Sequence, residues 1–140
     1  MMNSSFENKV ALVTGAGSGM GLTTAQMFAV EGAAVALVDV NEAPIRKAAE
    51  QLVAAGHKAI AIRCDVTDEA QVKEMVAQTV SAFGRLDAAF NNAGVQSLAA
   101  ETADATSEEF DRVNAINLRS VWLCMKYECS KCASKEAALL

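Results

Sequence analysis

A tyrosine followed four residues later by a lysine, Tyr127 and Lys131 in the stretch YECSK, has the spacing of a proton-transfer pair. One helical turn apart, the ammonium stands beside the phenol and favours its ionised form, which makes the phenol a usable general base. A second chemical signal lies near the N-terminus, where Thr14 to Gly21 reads TGAGSGMG. Its glycines 15, 19 and 21 follow G-x-x-x-G-x-G rather than G-x-G-x-x-G, but the physics is shared. Glycines allow a sharp turn after a strand, close approach of the backbone to a pyrophosphate, and free N–H groups at a helix start. Further on, Asp39 ends an apolar run, where a carboxylate can take the ribose hydroxyls of an adenosine. The same charge repels a 2′-phosphate, and neither Ser18 nor Val40 offsets it with a positive one, so NAD is favoured over NADP.

Three of the four cysteines, Cys124, Cys129 and Cys132, have the spacing C-x4-C-x2-C, which also occurs in iron–sulfur proteins. A fourth thiolate would have to come from distant Cys64, so small buried or surface thiols are the expectation and no metal site is assigned.

These residues need a scaffold, and the composition allows one. The chain has 140 residues, 52% hydrophobic and 21% charged, which fits one domain with a real core and no disordered tail. A formal charge of -5 with scattered Lys and Arg leaves no basic patch for a nucleic acid. The apolar runs are short and the first residues, MMNSSFENK, lack an apolar signal core, so no membrane span is expected and the location reads as cytoplasmic, with reduced thiols.

The positioning elements follow from the apolar pattern. Lys9–Thr14 reads as a buried parallel strand, Gly19–Glu31 as a helix closed by Gly32, and Ala34–Val40 as a second strand. A helix over Ala43–Ala55, a strand over Lys58–Arg63, a helix over Asp68–Phe83 and a short strand over Leu86–Phe90 continue the rhythm. The turn NNAG precedes a long helix over Ser107–Ser130, with Thr106 or Ser107 as its N-cap and Glu108 and Glu109 in its first turn. Strands alternating with such helices make right-handed βαβ units, hence a Rossmann-like, doubly wound α/β fold with a parallel sheet.

Together these residues resemble the N-terminal part of a short-chain dehydrogenase/reductase. The resemblance is carried by TGAGSGMG, Asp39, Cys64-Asp65-Val66-Thr67-Asp68, Asn91-Asn92-Ala93-Gly94 and Val113-Asn114-Ala115-Ile116-Asn117-Leu118, in order, from Lys9 to about Glu128. It implies strand order 3-2-1-4. It further implies that Gly15, Ser18, Gly19, Met20 and Gly21 cradle the cofactor phosphates, and that Asp65 and Val66 border the adenine. Asn92, Ala93 and Gly94 would line the ribose, and Asn117 would hold a water in a proton relay. The plainer readings are a capping turn at Asp65, a tight turn at NNAG and a helix-flank polar residue at Asn117. The family moves a hydride between a nicotinamide and an alcohol or carbonyl carbon, using a serine, a tyrosine and a lysine.

Within that frame Tyr127 stands only ten residues beyond Asn117 on one helix. That separates their backbones by about 15 Å, too far for a shared relay, so Tyr127 and Lys131 are expected to be a surface pair. The tail KCASKEAALL has Lys135 where the family's lysine falls and Lys131 where tyrosine should be. Loss of an internal segment, a truncation with an unrelated tail from about residue 131, and chance likeness all fit. The catalytic serine and tyrosine are missing from their family positions, so the expectation is a single, incomplete domain that is inactive alone, with the fourth strand left as a sheet edge and self-association through the long helix into a homo-oligomer. A non-catalytic NAD-binding or dimerisation module pairing with a full-length relative is the alternative, and a different α/β nucleotide or methyl-donor binder is a third reading. An alcohol or ketone substrate would be met only by a completed enzyme.

Overall fold

The computed structural model describes residues 5–131 and 138–139, the latter two as backbone only. Four strands, β1 (Val10–Thr14), β2 (Ala34–Asp39), β3 (Ala59–Arg63) and β4 (Ala88–Asn91), form a parallel sheet in the order 3-2-1-4. The helices are α1 (Gly19–Val30), α2 (Glu42–Ala54), α3 (Glu69–Phe83), α4 (Ser107–Asn114) and α5 (Ser120–Lys131). The expected elements are all present, with ends shifted by one or two residues.

Alternation along the strands divides the core in two. Val10, Leu12, Ala36 and Val38 face one side, against Val72, Met75 and Val76 of α3 and Leu123 and Cys124 of α5. Ala11, Val13, Val35 and Leu37 face the other, against Ala25, Phe28 and Ala29 of α1 and Ile45, Ala48 and Leu52 of α2. A sheet buried on both faces explains why the strand sequences read as continuous apolar runs instead of alternating ones. Pro44 sits in the first turn of α2, where its missing N–H costs no helical bond. Asp68 caps α3 by accepting from the N–H groups of Ala70 and Gln71, and Gly84 ends it at φ +82, a left-handed turn that glycine adopts without strain.

Two features depart from expectation. The long helix is not uniform: Ala115–Arg119 form a π-helical turn between α4 and α5, with helical backbone at both junctions. Thr106, not Ser107, is the cap of α4, its Oγ1 accepting from the Glu109 N–H. The fourth strand is also not a bare edge. A two-residue strand β5 (Ala138–Leu139) pairs parallel with it, Ala88 opposite Ala138 and Ala89 opposite Leu139, because β4 offers unpaired backbone groups that a short apolar segment can satisfy. Among the described residues no helix is long and apolar enough to cross a membrane.

Candidate functional site

A cleft of about 740 Å³ opens at the carboxyl ends of the strands, the place where ligands bind in open α/β sheets. It is lined by Gly15, Ser18, Met20, Asp39, Asp65, Val66, Asn92, Ala93, Gly94 and Asn117, so ten of the twelve residues singled out from the sequence converge there. Gly19 and Gly21 are the two that do not line it.

Gly21 works from beneath. It is buried, and a Cβ on it would lie 2.1 Å from the Gly15 carbonyl oxygen and 2.6 Å from Asn92 Nδ2. The first turn of α1 therefore packs directly on the loop that precedes it. Gly15, at φ +65, would bring a Cβ to 2.9 Å from Ala93 Cα, so loop and NNAG turn are also in close backbone contact. Hydrogen bonds hold the contact: Asn92 Nδ2 donates to the carbonyls of Thr14 and Gly15, both at 3.3 Å, and the Ala93 N–H donates to Thr14 Oγ1 at 3.1 Å. Gly19, at φ +56 with open space around it, is required by backbone conformation and not by crowding. Ser18 is the N-cap of α1 in position but its side chain makes no capping bond, which leaves its hydroxyl exposed at the cleft and the N–H groups of the first turn free to meet an anion.

Asp39 ends β2 at the cleft rim with both carboxylate oxygens held. Oδ2 accepts the Gly17 N–H at 3.0 Å, and Oδ1 accepts the Asn41 N–H at 2.9 Å. Asp65 combines the two readings open from the sequence. It lines the cleft, while its Oδ1 accepts from the N–H and the hydroxyl of Thr67 in a turn that leads into α3. Val66 beside it is buried. Cys64 also lines the cleft, and burial, aided by Asp65 and Asp68, pushes its thiol up to about 12. It is a neutral wall.

Asn117 lies in the π-helical turn, where the altered backbone aims its amide at the segment after NNAG. Its Nδ2 donates to the Val95 carbonyl at 2.7 Å and its Oδ1 accepts the Val95 N–H at 2.8 Å. The next segment is tied to α4: Arg112 donates to the Gln96 carbonyl, and Glu109 accepts the Leu98 N–H. The Arg112 guanidinium, with the Leu98 N–H, holds the Glu109 carboxyl down at about 2.

Tyr127 is not part of this cleft. Its hydroxyl donates to Glu69 Oε1 of α3 at 2.8 Å, an oxygen that also receives Lys126 Nζ at 2.7 Å. That carboxylate pushes the phenol's pKa up from 10.0, opposite to what a general base needs. The expectation that it is a surface residue needs a small correction: the ring is half-buried and packs on the core, because α5 lies flat on α3. Lys131 is exposed at the helix end. Cys132 and Lys135 lie outside the described residues. Among the described residues no three His, Cys, Asp or Glu side chains converge as metal ligands.

Sequence reasoning missed Gly17, whose N–H holds Asp39 and whose Cβ would lie 2.9 Å from Asp39 Oδ2. A strand-end carboxylate facing a glycine loop needs a donor there, and that was the available signal. Thr14 and Val95 were missed because their roles are made by contacts 79 and 22 residues away.

A Rossmann-type cleft with these side chains defines a class, and the comparisons name it. The family model for short chain dehydrogenases matches residues 9–137, and the chain belongs to that family. It is similar to the 2,5-dichloro-2,5-cyclohexadiene-1,4-diol dehydrogenase of Sphingobium indicum, 43% identical over 126 residues, 89% of this chain and 49% of that one. It is also similar to the cyclohexanol dehydrogenase of an Acinetobacter species, 40% identical over 91% of this chain and 51% of the relative. Among solved structures, an NAD+-bound xylitol dehydrogenase superposes with a TM-score of 0.87 at 40% identity, covering 91% of this chain and 49% of its own. A 3-ketoacyl-(acyl-carrier-protein) reductase from Brucella melitensis complexed with NADH gives 0.82 at 39% identity, covering 87% and 49%. The chain spans about half the length of the curated relatives it matches.

Proposed function

We propose that this chain is the cofactor-binding half of an NAD-dependent oxidoreductase. In this reading Gly15, Ser18, Gly19 and Met20 receive the pyrophosphate of NAD, with Gly21 packed beneath the loop that holds it. Asp39 takes the adenosine ribose, Asp65 and Val66 border the adenine, and Asn92, Ala93 and Gly94 line the ribose. The observation that carries the choice of NAD is the Asp39 carboxylate, fixed by Gly17 and Asn41 at the cleft rim, with no ion pair to it among the described residues. A 2′-phosphate there would meet an anchored negative charge that cannot swing away. The similar solved structures that hold NAD+ or NADH support the same class of cofactor.

When bound, the nicotinamide supplies the hydride acceptor or donor for an alcohol or carbonyl carbon. The chain's own residues bind and orient it. The Asn92 amide locks the loop, and Asn117 fixes Val95 while keeping one N–H and one lone pair with which to hold a relay water. The proton donor and acceptor for the substrate oxygen are not supplied by Tyr127, so these 140 residues are expected to bind the cofactor without turning it over. The reading further comprises a single domain, a cytoplasmic location and a homo-oligomer built on the long helix. That helix exposes Phe110, Leu118, Trp122 and Met125 along its outer side. Nucleic acid and membrane are not among the partners.

Calorimetric titration with NADH and NADPH tests it. Saturable binding that favours NADH is the expected result; equal or stronger NADPH binding would overturn the choice of cofactor, and no heat with either would overturn the binding role. A non-catalytic module that pairs with a full-length relative is favoured by the exposed helix face, and co-purification with such a relative would separate it from a self-associating half.

A further inference from the structure

Glu128 of α5 is the one fully buried glutamate among the described residues, and no Lys, Arg or His among them forms an ion pair with it. Its Oε2 accepts a hydrogen bond from Asn91 Nδ2 at the end of β4, at 2.8 Å. The two remaining oxygens of the pair, Glu128 Oε1 and Asn91 Oδ1, are both buried and have no hydrogen-bond partner among the described residues. Both are acceptors if Glu128 is ionised, so an ionised pair leaves two buried acceptors unpaired and one charge uncompensated. A single proton on Oε1 removes all three costs, since the acid then donates to Asn91 Oδ1 while Oε2 still accepts from Nδ2.

We propose that Glu128 is a neutral carboxylic acid in the folded chain and forms a reciprocal acid–amide pair with Asn91, making Glu128 a positioning residue for the cleft.

The charged and titratable groups around it agree. On α5 the Cys124 thiol is pushed up to about 12, chiefly by burial; Cys64, after β3, is likewise protonated. On α3, Glu69 is occupied by Lys126 and Tyr127. Among the described residues no ion pair supplies a counter-charge. Burial pushes Glu128 itself up to about 7 from 4.5, with the Asn91 bond acting against the shift.

The consequence reaches the cleft through one peptide unit. Asn91 stands opposite Thr14 in the β1–β4 register, and Asn92, the next residue, donates to the Thr14 and Gly15 carbonyls. Pinning Asn91 from α5 therefore fixes where the NNAG turn begins. The pair does not depend on which cofactor, if any, the cleft takes.

The sign of the pH effect follows from a raised carboxyl. Between about pH 4.5 and 7 the folded state holds a proton that the unfolded state has lost, so stability falls as pH rises through this window and levels off above it. The Glu128 share is an increase in the unfolding constant on the order of a hundredfold between pH 5 and 8.

The test is carbon-13 NMR of the wild-type chain labelled at the glutamate carboxyls, titrated from pH 4 to 8. One glutamate carboxyl titrating near 7, absent from the Glu128→Gln spectrum, is the expected result. All carboxyls ionised by pH 5.5 would overturn the proposal. Glu128→Gln is the companion variant: its amide can donate to Asn91 Oδ1 and accept from Nδ2, so it should fold, lose the late-titrating signal and lose the stability slope between pH 5 and 7. An unchanged slope in this variant would equally overturn it, and if the variant does not fold, the wild-type titration decides alone.

Discussion

The Cβ that Gly21 lacks would lie 2.1 Å from the carbonyl oxygen of Gly15, closer than any real contact, and the atom it would strike is backbone. Gly15 is itself at φ +65 against Ala93, and its carbonyl is bonded to Asn92. Gly21→Ala should therefore destabilise the chain by about 3 kcal/mol and abolish NADH binding, since relief requires separating α1 from the loop. Gly19→Ala meets open space but at φ +56, and should cost only about 1 kcal/mol of backbone strain. Urea unfolding of the two variants checks the ranking; equal losses would mean the crowding at position 21 relaxes.

The sheet and its helices were legible because two signals agreed. Apolar runs marked strands buried on both faces, as in VALVT and AVALVD, and Gly32, Gly56 and Gly84 marked helix ends that the structure shows at positive φ. The glycine loop and Asp39 were legible for the same reason, since local spacing encodes their geometry. The π-helical turn was not: Ala115–Arg119 contains neither glycine nor proline, and its mark is the Ser120 N–H donating to the Ala115 carbonyl five residues back, which no local residue type announces. Nor was the Glu128–Asn91 pair, made across 37 residues by an acid that would normally be placed on a helix exterior. The pairing of β5 with β4 also escaped the sequence reading, because a two-residue strand carries no period.

Asp39 makes a prediction about cofactor choice that does not depend on catalysis. Asp39→Asn removes the charge that would oppose a 2′-phosphate and leaves either the Gly17 or the Asn41 N–H without its acceptor. Losing a charge-assisted hydrogen bond of about 1.5 kcal/mol to a ribose hydroxyl should weaken NADH roughly tenfold, while NADPH gains relative to it. Calorimetry with both nucleotides reads the ratio. An unchanged ratio would remove Asp39 from the ribose site.

Asn117 engages both polar groups of Val95, so its substitutions should separate by donor pattern. Asn117→Asp keeps an acceptor for the Val95 N–H but sets a carboxylate oxygen against the Val95 carbonyl, and Asn117→Ala loses both bonds. The aspartate is the worse variant, because it adds repulsion to a lost bond; each should cost about 1–3 kcal/mol in thermal unfolding. Amide exchange at Val95 should accelerate in both. Protection equal to wild type would show that the segment is held by α4 through Glu109 and Arg112 instead.

Tyr127 is the one tyrosine of the chain, so ultraviolet titration reads it alone. Its bond to Glu69 raises its pKa above 10.0, and a raised pKa means that the stability it contributes is present at neutral pH and is lost as pH rises through the folded value. The tyrosinate signal should appear only above pH 10. A midpoint near 7 would restore the phenol as a general base and reverse its exclusion from the proton chemistry. Tyr127→Phe should leave NADH affinity unchanged, since the ring lies outside the cleft.

Trp122, the one tryptophan, tests the self-association reading. It is 58% exposed on α5, one turn beyond Leu118 at 67%, with Phe110 at 68% further along the same helical stretch. Residues four apart share a helix face, so Leu118 and Trp122 form a continuous apolar ridge that a monomer leaves in water. If two chains pack these ridges together, Trp122 emission should shift to the blue as concentration rises, and sedimentation should show a dimer. Trp122→Glu buries a charge at the centre of that contact and should convert the dimer to monomer without altering the fold, because the side chain belongs to neither core cluster. Concentration-independent emission, with a monomer at every loading, would refute the homo-oligomer and leave the helix face to a different partner.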